Sequence, residues 1–138
     1  MKQIIPILFL LAIVFSSCKK YDEGPSLSFR SKRERAINIW TFASVSDHSG
    51  NDITVDYDNW IFSIDENNNL LIQWYLSGIK IDTYGTWNFN QDKTYIELTY
   101  TNTILESQFS KSLEILRLKE KNLIVNTENL RIDFSGTL

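Results

Sequence analysis

One cysteine, one histidine and a scatter of carboxylates are the residues in this chain that could do chemistry. His48 lies in the stretch SDHSG, a loop by composition. A Ser/His/Asp triad needs its histidine held in place by a framework. No G-x-S-x-G motif accompanies it. A zinc site takes three or four His or Cys ligands, and the chain offers one of each. The segment DENNNL opens like a calcium loop, with Asp65, Asn67 and Asn69 at alternate positions. Such a loop needs glycine at its sixth position and glutamate at its twelfth. Leu70 and Leu76 stand there instead, so the segment reads as a turn. Asp52, Asp56 and Asp58 could loosely hold a cation, but a solvated acidic loop is the plainer reading. No catalytic residue, metal or cofactor is therefore expected, and the chain does not read as an enzyme.

Cys18 has a different use. It follows Lys2 and the apolar run IIPILFLLAIVF, about a dozen residues from Ile4 to Phe15. A membrane-spanning helix needs ~20 such residues. A short apolar run after a basic start, ending in small residues, is laid out as a secretory signal peptide. Here Ser16 and Ser17 lead directly into the cysteine, an order that resembles the bacterial lipobox. Residues 1–17 are read as a lipoprotein signal peptide, with Cys18 lipidated at the mature N-terminus. Two or more acyl chains anchor a protein stably where one does so marginally. Residues 18–27 form the lipidated tether, broken by Gly24-Pro25. Residues 28–138 form the folded domain.

Removal of residues 1–17 takes away Lys2, the single charge there. The balance of 14 basic against 17 acidic residues becomes 13 against 17, net −4. That excludes the basic footprint of a nucleic-acid binder. With Cys18 acylated the domain has no disulfide to use, so an apolar core must hold it. Eight Phe, six Tyr and four Trp supply that core generously.

SKRERAIN is the one convincing helical stretch. Ser31 and Glu34 have capping-box spacing, which places a short helix at about residues 31–37. From Ile37 onward apolar residues recur every second position, the period of half-buried strands. NWIFSI, LLIQWYLS, IKIDTYGTWNF, TYIELTYT, SLEILRLK, LIVN and LRIDFSG follow a first strand in INIWTFASVS. The segment DITVDY is read as an extra strand or a stretch paired along the barrel mouth, and TNTILESQFSK as a long connection or a wide hairpin. Eight short antiparallel strands with close turns predict an all-β, up-and-down barrel with a short N-terminal helix, because closure removes exposed edges. Such a barrel is either filled by side chains or holds one small ligand.

Four stretches of the mature chain carry a resemblance: CKKYDEGP, RSKRERAINIW, YGTWNF and LEILRLKEKNLIV. Together they resemble the lipocalin-like lipoproteins of the Bacteroidetes. Asn38-Ile39-Trp40 stands where larger lipocalins carry G-x-W, without the glycine. The sequence ends at Leu138, directly after the last strand LRIDFSG, with no room for the long C-terminal helix of those lipocalins. The acidic pair Asp22-Glu23 resembles the surface-export signals of Bacteroidetes lipoproteins, or is a soluble linker. The resemblance implies a lipocalin-like barrel anchored by lipid in the cell envelope, at the periplasmic face or outer surface of the outer membrane. By analogy with lipocalins, Arg117 or Arg131 would close the barrel by stacking on Trp40.

Trp40, Trp60, Trp74 and Trp87 all fall in the strand pattern. They either fill the barrel or line a pocket in it. Two functions follow. One is a binding module for a small apolar or amphipathic ligand, with the four tryptophans as candidate ligand-binding residues. The other is a filled barrel that presents loops to an outer-membrane protein partner. Interior volume separates the two.

Overall fold

The computed structural model describes residues 29–138. The signal peptide, Cys18 and the tether lie outside the described residues. Eight antiparallel strands run in sequence order: β1 (Asn38–Asp47), β2 (Ile61–Ile64), β3 (Asn69–Leu76), β4 (Ile79–Phe89), β5 (Tyr95–Asn102), β6 (Ser107–Leu118), β7 (Asn122–Asn126) and β8 (Leu130–Gly136). Each pairs with the next, and β8 pairs with β1 to close the barrel. The up-and-down barrel expected from the alternation is the fold.

Because neighbours alternate in direction, one end of the barrel gathers the start of β1 and the turns β2–β3, β4–β5 and β6–β7. The other end gathers the remaining loops. The first end is packed shut by α1 (Lys32–Ala36). Both halves of its capping box are present. Ser31 Oγ accepts from Glu34 N at 3.1 Å, and Glu34 accepts from Ser31 N at 2.6 Å. Arg33 reaches from this helix across the barrel base. It donates to Glu66 O and Asn68 Oδ1, each at 2.8 Å, and its guanidinium lies 4.7 Å from the Trp87 ring centre. Trp40 Nε1 donates to Ala36 O at 2.9 Å, so the first strand and the helix share one bond. Buried Asn38 Oδ1 accepts from the backbone of Thr137 and Leu138, and its Nδ2 donates to Glu120 O. The end of the chain is thereby tied to the start of the sheet.

The turns have a common design. Asp47 accepts from Ser49 N, Asn51 N and Asn51 Nδ2, and Asp65 accepts identically from Asn67 N, Asn69 N and Asn69 Nδ2. These bonds hold both carboxyls below the ordinary aspartate range, led by the Asn51 and Asn69 side chains respectively. The calcium-like spacing of DENNNL thus serves a turn, as the sequence indicated. The fourth residue of each turn has positive φ, +87° at Gly50 and +65° at Asn68, residue types that tolerate it.

Two segments differ from the sequence expectation. DITVDY forms neither strand nor mouth pairing along its length. One bridge joins Ser46 to Asp52, and Thr54–Tyr57 makes a 3-10 turn. Ile53 and Tyr57, four residues apart, both fold inward onto the core. The sixth strand also starts at Ser107, five residues before the stretch SLEILRLK. TNTILESQFSK is therefore a hairpin, and its second arm is strand.

Inside, the core runs from Trp40, Phe62, Ile64 and Leu70 through Trp87, Ile96 and Leu98 to Leu118, Leu123 and Phe134. Gly85 permits the close crossing of β4 and β5. A Cβ there would run into the Thr99 carbonyl and come within 2.8 Å of Tyr100 Cα.

Candidate ligand-binding cavity

The barrel is solid at its helix end and hollow at its mouth. Two adjoining lobes occupy the upper interior, of about 220 and 210 Å³. Trp60, Ile72 and Tyr100 border both. The larger lobe is walled by Phe42, Phe62, Leu98, Leu113, Ile132 and Phe134, inward-facing residues of five strands. The smaller is walled by Trp74, Thr83 and Asn102. Pockets for drug-sized ligands span about 300–1,000 Å³. Each lobe falls below that range and the two joined reach its lower part, which suits a small molecule.

The mouth is framed by aromatic packing. Tyr57 lies on Phe42 with ring centres 5.5 Å apart and meets Trp60 edge-on at 4.8 Å. Trp60 in turn contacts Trp74 at 5.8 Å. Burial holds the Tyr57 phenol above its ordinary pKa, with Asp56 adding to the effect. Burial does the same for Tyr100. Both hydroxyls therefore stay protonated through the physiological range.

A side gap completes the site. The pairing of β7 with β6 ends at the pair Glu114–Asn126, whereas β6 extends up to Ser107. From Ser107 to Leu113, β6 is paired with β5 on one side and, among the described residues, has no strand on the other. A cleft of about 390 Å³ lies at this gap, and Lys111, Thr127 and Glu128 border both it and the larger lobe.

No protein-family model matches the chain, and no curated protein matches it. Solved structures do. A lipocalin-like protein from Bacteroides uniformis aligns with a TM-score of 0.61 at 11% identity, over 75% of this chain and 99% of that one. An uncharacterized protein from Bacteroides eggerthii aligns with a TM-score of 0.57 at 14% identity, over 73% and 98%. The fold is lipocalin-like. Identities this low speak for architecture alone, and the architecture agrees with the resemblance carried by RSKRERAINIW and YGTWNF.

Within the lipocalin-like barrel the four tryptophans divide. Trp60 and Trp74 border the cavity. Trp40 and Trp87 are 0% and 1% exposed at the packed end, with their indole N–H groups on Ala36 O and Asp65 O. They fill the barrel and border neither lobe. The arginine stack also differs from the expectation drawn from lipocalins. It is Arg33, from α1, that stacks, and its partner is Trp87. Arg131 is exposed on the outer face of β8. Arg117 donates to Asn122 Oδ1 at 3.1 Å, and Asn122 Nδ2 donates on to Asp133, a chain across β6, β7 and β8. His48 is exposed in its loop, and Asp52 accepts from Thr54. No group of three or more potential metal ligands occurs among the described residues.

Tyr57, Tyr100 and Lys111 were not singled out by sequence reasoning. A signal was there for two of them: Tyr100 alternates in phase with Ile96 and Leu98, and Lys111 stands two residues from Phe109 and from Leu113, in phase with an inward apolar face.

Proposed function

We propose that this chain is a lipid-anchored binding protein of the cell envelope that holds one small apolar or amphipathic molecule in the mouth of its barrel. The observation that carries the reading is the hollow upper interior above a fully packed base. Core packing is normally dense, and this barrel has aromatic residues enough to fill its mouth, yet Tyr57, Trp60 and Trp74 line space there. Fold alone licenses no function; the apolar cavity supports one. The test is a titration of the purified protein with a neutral naphthylamine probe. Saturable binding near one-to-one, with energy transfer from tryptophan, is the expected result. A folded protein that shows no saturable binding would refute the reading.

The anchor is proposed from the sequence order Lys2, apolar run, Ser16-Ser17-Cys18. The intact mass of membrane-extracted protein is expected to show loss of residues 1–17 and a gain of acyl mass on Cys18. Cys18→Ala should abolish both. A Cys18→Ala protein still processed and wholly membrane-bound would contradict the assignment.

One observation favours the partner-binding alternative. Val55, Leu76, Ile79, Ile104 and Leu105 are exposed on the loops and strand ends around the mouth. An apolar rim of this kind can receive an outer-membrane protein. Failure of the probe titration together with recovery of one defined membrane partner would favour that function.

A further inference from the structure

The cavity is apolar in most of its walls, with Thr127, Glu128 and Asn129 bordering one lobe and Thr83 and Asn102 the other. Among the described residues, the Trp60 indole N–H and the Tyr57 and Tyr100 hydroxyls, all on the cavity lining, make no hydrogen bond to protein. The other three tryptophans all donate, to Ala36 O, Thr83 Oγ1 and Asp65 O. Lys111 adds an ammonium group. It is paired in register with Leu98, a core residue, so its side chain starts from the inward face of β6. Among the described residues no carboxylate lies within 4.0 Å of it; the ion pair at that limit joins Lys80 to Asp82. Tyr100 pairs with Phe109, one inward position from Lys111, so the two occupy a cross-strand diagonal. Such diagonals span about 7–8 Å, within reach of long side chains. Lys111 also borders the cleft at the side gap, where a charged head could remain in water.

The Lys111 ammonium and the Trp60 indole N–H can only donate and the two phenol hydroxyls can donate as well, so together they favour an acceptor. Hydrogen bonds to a charged group are about twice as strong as neutral ones. We propose that the ligand is an amphipathic oxyanion, a carboxylate on a short apolar body, with its head held by Lys111 and Tyr100 at the side gap and its body in the larger lobe. This rests on the small-ligand reading above and names its ligand class. Glu128, on the β7–β8 turn at the same gap, is the one carboxylate among the described residues that borders the lobe. It opposes an anion, which sets the sign of a second variant.

Octanoate, octanol and octyltrimethylammonium, of equal chain length, are titrated into the purified protein, read by tryptophan fluorescence. Octanoate should bind about tenfold more tightly than octanol, and the cation most weakly. Lys111→Met should remove the preference for octanoate while octanol binding holds. Lys111→Arg should restore the preference, Tyr100→Phe should reduce it, and Glu128→Gln should increase it. Circular dichroism shows whether each variant is folded; should Lys111→Met fail to fold, Tyr100→Phe and Glu128→Gln carry the decision. Equal binding of octanoate and octanol, unchanged by these variants, overturns the oxyanion proposal and leaves the cavity reading standing. Binding of none of the three overturns both.

Discussion

Replacing Trp87 by alanine is expected to destabilise the protein by about 3–5 kcal/mol, while Asn88→Ala, one residue along β4, changes stability by about 0.5 kcal/mol or less. Trp87 is 1% exposed, in the packed end of the barrel. Its loss removes three things at once. A large apolar area leaves a cavity that the rigid base cannot close. The bond of its indole N–H to Asp65 O, 2.9 Å long, disappears from the β2–β3 turn. Arg33 loses the ring on which it stacks, so α1 is held less firmly against the barrel base. Asn88 is exposed, and its side chain makes a local bond to Phe89 N. Chemical denaturation of both variants checks the contrast. Equal losses would mean that β4 is shifted by one residue, since a single slip exchanges the two faces of a strand.

Ile72→Trp is expected to weaken binding of a neutral apolar probe by more than about tenfold, with stability changed by about 1 kcal/mol or less. Ile72 borders both lobes from β3. Forcing a larger side chain into a packed core costs about 1–3 kcal/mol. Here the added ring has empty space to enter, so it competes with the ligand instead of the core. Probe titration and thermal unfolding of the same sample give the two numbers. Undiminished affinity in a folded variant would place the bound molecule elsewhere, with the apolar rim of Leu76, Ile79, Ile104 and Leu105 as the next surface to examine.

These predictions draw on different depths of the sequence. Alternation was enough to find the strands and to put Trp74, Ile81, Trp87, Leu98 and Ile132 on the inner face, because a sheet packed on one side requires period two. The capping box at Ser31 and Glu34 announced α1 for an equally local reason. Alternation reports a face and not a height. Trp40 stands near the start of β1 and Trp87 near the end of β4, so an up-and-down order sends both to the base. Trp60 precedes β2 and Trp74 lies near the end of β3, so the same order sends both to the mouth. The separation was legible once the meander was assumed. The upper half of β6 was harder to see. Ser107, Gln108, Ser110 and Lys111 read as loop because they face solvent, the side gap or a cavity, none of which demands an apolar residue. Tyr57 is held over the mouth by a 3-10 turn whose register depends on the tertiary packing of Ile53 and Tyr57, which no local pattern encodes. For the cavity itself, what decides is the space left between side chains, a property of the closed barrel and not of any one strand.

The central claim, a ligand site at the mouth above a packed base, has its own internal controls in the four tryptophans. Their indole N–H resonances can be followed by nitrogen-15 NMR as octanol is added to the purified protein. The account predicts saturable shifts for Trp60 and Trp74, which border the cavity, and stationary signals for Trp40 and Trp87, which lie sealed at the helix end. Shifts confined to Trp40 and Trp87, or four unmoved signals at saturating octanol, would contradict it.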